Sequence, residues 1–226
     1  ISSCTALVFP VKEICDRARE LGLITIVDGA HVPGQLDLNI TELNPDFYTG
    51  TLHKWMLAPK GSSFLYVKKQ FQNTLDPLIV GWGYESVSPG ESQFLDYQDY
   101  QGTRDFLATP KVIEFLERNN WSTIAKQSKA IVLANYQRFC DLFQTQPLCP
   151  ISEEFLVQMA SVPVKTSDPV GLKELLFNKY KIEIPVMSLN GNFYLRYSIN
   201  GYNSQEDLDV LYAALQDILS TTDLIQ

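Results

Sequence analysis

A helix-forming stretch that gives way to a short apolar run and stops at an acid is what most limits this chain. Pro10 suits a first helical turn, where its missing N–H is no loss. Val11, Ile14, Cys15, Ala18 and Leu21 then recur at helical spacing, and Gly22 supplies a stop. Leu23 to Val27 is a near-continuous apolar run, the pattern of a strand buried on both faces. It ends abruptly at Asp28-Gly29. Helix, buried strand and an acid at the strand's carboxyl end together indicate an α/β sheet, and such sheets bind ligands outside the carboxyl ends of their strands.

The remaining elements fill out this scheme. Further strands are predicted at Phe47–Thr49 and Ser63–Val67, with Pro59-Lys60-Gly61 as the turn before the latter. Segment 72–103 is rich in Gly, Pro, Ser and Tyr and reads as a long functional loop. Helices are predicted at Pro110–Arg118 and Trp121–Phe143, the second long enough to connect domains. Beyond Pro147 come strands at Phe155–Val164, Ile182–Val186 and around Phe193–Ile199, with a helix at Val170–Tyr180. A last helix is capped at Ser204–Asp207 and has Leu208, Leu211, Leu215 and Ile218 on one face. The expected organisation is a large α/β domain over 1–145 and a small α+β domain over 146–226.

Charge and composition narrow the function. Eighteen Lys and Arg against 26 Asp and Glu give a net charge of −8, the reverse of the basic footprint of nucleic-acid or anionic-membrane binders. No apolar run approaches the ~18 residues of a membrane span. The four cysteines, Cys4, Cys15, Cys140 and Cys149, are scattered without a C-x-x-C pair, which points to a reducing compartment and a cytoplasmic protein. The first methionine is Met56, so the chain is expected to be a piece of a longer one. Neither G-x-x-x-x-G-K nor G-x-G-x-x-G occurs, so no P-loop or dinucleotide fingerprint is present.

The two histidines, His31 and His53, fall in the most strand-punctuated part of the chain, within Asp28-Gly29-Ala30-His31 and Thr51-Leu52-His53-Lys54-Trp55. Singly, each residue has a bland reading: a turn-capping Asp, a structural His, a solvated Lys. Together with Ala58-Pro59-Lys60-Gly61 they resemble the class V aminotransferase family of fold-type I pyridoxal-phosphate enzymes. The branch that they resemble contains isopenicillin-N epimerase-like proteins and cysteine or cystine C–S lyases. The likeness continues through Gln101-Gly102-Thr103-Arg104-Asp105 and Tyr180-Lys181-Ile182-Glu183-Ile184-Pro185 to Arg196-Tyr197-Ser198 and Tyr202-Asn203-Ser204.

The resemblance implies a fold-type I large domain with a mostly parallel sheet, followed by the small domain, and pyridoxal 5'-phosphate as cofactor. It implies Lys54 as the Schiff-base lysine, with Asp28 pairing the pyridine nitrogen and His31 beside the ring near the phenolic oxygen. Thr51 and His53 would hold the cofactor phosphate, and Gly102-Thr103 would reach the phosphate of a neighbouring subunit, so that a homodimer shares its sites. Arg196 would grip the carboxylate of an amino-acid substrate, which a planar guanidinium fork matches bidentately. No cysteine follows Cys149, which argues against the persulfide route of cysteine desulfurases. The family's upstream phosphate-binding turn has no counterpart here, so the chain alone is expected to be inactive. Two other readings stay open: a non-catalytic dimerising fragment, and an iron site using Asp28, His31 and His53. Against the second, Asp28-x-x-His31 lacks the common H-x-D spacing, and Lys54 adjoins a ligand.

Overall fold

The computed structural model describes residues 1–75 and 104–226. The chain packs as two compact units, one formed by Pro10–Pro33 and Asp37–Arg118, the other by Ile1–Phe9, Gly34–Leu36 and Asn119–Gln226. This packing departs from the expected division at 145/146. The long helix expected to connect domains instead buries Val132, Tyr136, Phe139 and Cys140 in the core of the second unit.

In the first unit, helix α1 (Val11–Glu20) follows Pro10 and ends ahead of Gly22, which adopts φ +69°. Strand β1 (Ile26–Asp28) pairs in parallel with β2 (Phe47–Thr51), in the register Val27 opposite Tyr48 and Asp28 opposite Thr49. The short helix α2 (Ile40–Leu43) lies between them in sequence. Strand β3 (Ser63–Val67) is antiparallel to β2, so the three described strands run β1-β2-β3 with one parallel and one antiparallel pair. Helices α3 (Lys69–Gln72), α4 (Arg104–Leu107) and α5 (Thr109–Arg118) complete the unit.

One end of this sheet is locked by Asp46. Its carboxylate accepts from Thr25 N and Thr25 Oγ1 at 2.9 and 3.0 Å and meets Lys68 Nζ at 3.3 Å. Burial pushes the acid up, but the Thr25 hydrogen bonds and the Lys68 charge outweigh it and leave it below its ordinary range. The expectation that Leu23–Val27 is buried on both faces is corrected. Leu23, Ile24 and Ile26 are 59%, 61% and 79% exposed, and the strand starts only at Ile26. Among the described residues β1 has a neighbour on one side only, so it lacks the flanking layers that such a run normally gains in an α/β sheet.

The second unit is an α+β layer with a dense core. Helix α6 (Trp121–Leu142) precedes β4 (Met159–Val164), and α7 (Pro169–Tyr180) precedes β5 (Val186–Leu189) and β6 (Asn192–Ser198). The sheet order is β4-β6-β5, antiparallel throughout, and α8 (Gln205–Thr221) follows. Asp168 caps α7 by accepting from Gly171 N at 2.8 Å, and Asp207 accepts from Ser204 N at 3.0 Å at the start of α8. The predicted strand at 182–186 forms later, at 186–189, and the one at 155–164 begins only at Met159.

Two buried tyrosines tie α6 to this sheet. Tyr136 Oη donates to Ser161 O at 2.9 Å and accepts from Leu148 N at 3.0 Å, while Tyr197 Oη donates to Val132 O at 3.2 Å. Because Tyr136 is fully buried, Tyr136→Phe strands a carbonyl and an amide away from water. That substitution is expected to cost about 1–3 kcal/mol in urea unfolding. Tyr197→Phe is expected to cost less, because Val132 O, inside helix α6, keeps its helical hydrogen bond.

Candidate active site

The parallel pairing of β1 and β2 places their carboxyl ends at one sheet edge, and the candidate residues follow from there. Asp28 closes β1, and its Oδ1 accepts from Ala30 N at 2.9 Å. Gly29 N continues the ladder to Thr49 O at 2.8 Å, and Val32 N returns to Gly29 O at 2.9 Å, folding the chain into the turn that carries His31. Gly29 is required there: a Cβ would lie 1.9 Å from the Tyr48 hydroxyl. Tyr48 is buried, and its hydroxyl has no hydrogen-bond partner among the described residues. Burial, with the nearby Asp28 charge, pushes that phenol up to about 12.

Lys54 lies three residues beyond β2, in a loop fixed mainly by backbone. Leu52 N donates to Ser62 O at 3.0 Å, and Ala58 N donates to Leu52 O at 3.0 Å. Leu57 closes the loop at φ +61°, a left-handed conformation that a leucine holds only when its surroundings enforce it. Gly61, at φ +98°, makes the turn into β3. In this setting Lys54 Nζ comes to 3.4 Å from His31 Nε2, and the Trp55 indole Nε1 donates to His31 Nδ1 at 3.2 Å.

The structure therefore brings Lys54 and His31 together and sets Asp28 at the end of the strand beside them. His53 turns its Nδ1 to Ser62 O at 3.3 Å. Thr51 Oγ1 donates to Ala30 O at 2.9 Å, which ties it to the His31 turn. Gly102 and Thr103 lie outside the described residues. Arg196 stands on β6 in the other unit, where its Nη1 donates to Ser3 O and, at 3.1 Å, to Ser3 Oγ. Its Nε is buried without a hydrogen-bond partner among the described residues, and burial lowers its affinity for the proton. Among the described residues no three His, Cys, Asp or Glu gather as metal ligands, so Asp28, His31 and His53 do not assemble the iron site.

All four cysteines are free. Burial raises each thiol above its ordinary value, Cys140 to about 11, so none is poised as a thiolate. Sequence reasoning passed over Tyr48, which packs over Gly29, and Trp55 as a partner of His31. The available signal was a buried-type aromatic with a donor-only N–H directly after the loop lysine.

An amine, an imidazole and a carboxylate at the carboxyl edge of a parallel pair form a donor set suited to an aldehyde cofactor with a basic ring nitrogen. The profile of the family Aminotransferase class-V matches residues 1–211, and the chain belongs to that family, whose cofactor is pyridoxal 5'-phosphate. Isopenicillin N epimerase of Streptomyces clavuligerus is 33% identical over 95% of this chain and 58% of its own length. A probable chloroplastic L-cysteine desulfhydrase of Arabidopsis thaliana is 29% identical over 97% of this chain and 50% of its own. An apo cysteine desulfurase from Thermococcus onnurineus shares the fold at a TM-score of 0.81 and 21% identity, covering 97% of this chain and 58% of that one. The chain thus spans 50–58% of the length of these relatives.

The Gly29–Tyr48 approach gives a direct test of the site's framework. Gly29→Ala forces a methyl into the phenol ring and is expected to destabilise the unit by about 1–3 kcal/mol in urea unfolding. Tyr48→Phe, which deletes only the unpaired hydroxyl, is expected to leave stability unchanged or slightly raised.

Proposed function

We propose that this chain carries the cofactor-attachment site and the substrate-carboxylate arginine of an enzyme that acts at the α-carbon of an amino acid, with an isopenicillin-N epimerase-like or C–S lyase outcome. The observation that carries this reading is the approach of Lys54 Nζ to His31 Nε2 at 3.4 Å, on the loop that leaves the carboxyl end of β2. Pyridoxal phosphate, when bound, supplies an electron sink for negative charge that develops at the α-carbon.

The protein residues do the rest. Lys54 is the residue of covalent attachment, and once released its Nζ is the base that takes the α-proton. The Asp28 carboxylate pairs with the ring nitrogen and keeps it protonated, while His31 offers an N–H to the phenolic oxygen. Arg196 holds the substrate carboxylate through its guanidinium. The raised thiols and the lack of a cysteine after Cys149 support this chemistry over a persulfide route. A homodimer with sites completed across the interface, through Gly102 and Thr103, belongs to the same proposal and rests on the resemblance of that segment.

Two measurements test it. Borohydride treatment of the full-length protein loaded with pyridoxal phosphate, followed by peptide mapping, is expected to find the label on Lys54 and to lose it in Lys54→Ala. A label on Lys60 or Lys68 overturns the assignment, and no label supports a non-catalytic role. Second, in the full-length protein Arg196→Ala is expected to lower kcat/KM for amino acids by tenfold to hundredfold, or about 1.5–3 kcal/mol, with partial recovery in Arg196→Lys. The matching amino-acid amides should be little affected. Equal losses for acids and amides would make Arg196 a structural clamp on Ser3.

A further inference from the structure

Trp55 is the least explained part of the site. It is 6% exposed, in a loop otherwise fixed by backbone hydrogen bonds, and its indole N–H is aimed at an imidazole. We propose that Trp55 is a positioning residue: its N–H holds His31 in the single tautomer that carries a proton on Nε2, the nitrogen that faces Lys54 Nζ.

The argument is one of donors and acceptors. An indole nitrogen can only donate, so His31 Nδ1, at 3.2 Å, must accept and must carry a lone pair there. A neutral imidazole with a lone pair on Nδ1 has its proton on Nε2. That nitrogen is the one 3.4 Å from Lys54 Nζ, so the pair forms a hydrogen bond when Nζ itself has a lone pair, the form in which an amine is nucleophilic. The other histidine is held the opposite way. His53 Nδ1 lies 3.3 Å from the Ser62 carbonyl, which can only accept, so Nδ1 carries the proton there. The chain's two histidines are thus fixed in opposite tautomers by two different partners. The Nε2–H of His31 is also the donor that the proposed cofactor site needs for a phenolic oxygen. That use rests on the proposed function, whereas the tautomer does not.

The test reads the tautomers directly in cofactor-free protein. The protein is labelled with 15N-histidine, and long-range proton–nitrogen correlation spectra are recorded at about pH 8, where a free imidazole is neutral. The His31 signals are assigned by their loss in His31→Gln. Expected are one Nε2–H ring with a hydrogen-bonded Nδ1, belonging to His31, and one Nδ1–H ring, belonging to His53. Trp55→Phe keeps most of the buried ring and removes the N–H. It should convert the His31 signals to an average over both tautomers and leave His53 unchanged. Lys54→Ala should leave His31 as Nε2–H, because Trp55 sets the tautomer.

An Nδ1–H signature at His31 in the parent overturns the proposal. So does a tautomer unmoved by Trp55→Phe, or one lost in Lys54→Ala. If the His53 signature collapses in Trp55→Phe, showing a folding defect, the parent and Lys54→Ala spectra still decide. Failure of the cofactor reading appears separately, as absence of borohydride label on Lys54 with the tautomers intact.

Discussion

The parallel pairing of β1 with β2, with Asp28 opposite Thr49, is the constraint on which the site depends. Parallel strands bring their carboxyl ends to the same edge, so the turn after Asp28 and the loop after Thr51 emerge side by side. Thr51 then ties the two together by donating to Ala30 O. A shift of one residue would turn Tyr48 and Gly50 from the buried face and expose Phe47 and Thr49 to it. It would also remove the Gly29 space that Tyr48 fills. Register, turn and loop are therefore one specification, and Lys54 meets His31 as its result.

Much of this was legible in the sequence. Asp28, His31 and Lys54 were marked by their motifs, and the elements from Thr109 to Arg118, Trp121 to Leu142 and Pro169 to Tyr180 follow the helical spacing of their apolar residues. The errors have physical causes. Leu23–Val27 has the composition of a doubly buried strand, but burial is a property of neighbours, and β1 has one described neighbour. The 182–186 run is β-branched enough to read as a strand, yet pairing with β6 starts at Val186. Thr51 was marked by the family resemblance together with His53 and Lys54; that its hydroxyl meets Ala30 O, 21 residues away in sequence, is something no spacing announces. Spacing identifies residue types in a site and says little about which donor meets which acceptor.

The two units also keep their stability in different places. The contiguous apolar core, from Val132 and Tyr136 through Leu195 to Leu215 and Ile218, belongs to the unit that carries Arg196. In the unit that carries Lys54, the buried apolar side chains among the described residues are Cys15, Pro33, Pro45, Tyr48, Trp55, Ala58 and Val67. Three of these are part of the site's framework: Tyr48 packs over Gly29, Trp55 holds His31, and Ala58 closes the lysine loop. A large core can absorb a lost contact, whereas a small one concentrates its stabilisation in few residues. Among the described residues of this unit, the groups that frame Lys54 and His31 are thus also buried core groups. The hydrogen-bonded frame around Leu52 and the strained Leu57 hold the Lys54 loop through main-chain contacts, so the loop's conformation does not depend on what the lysine side chain meets.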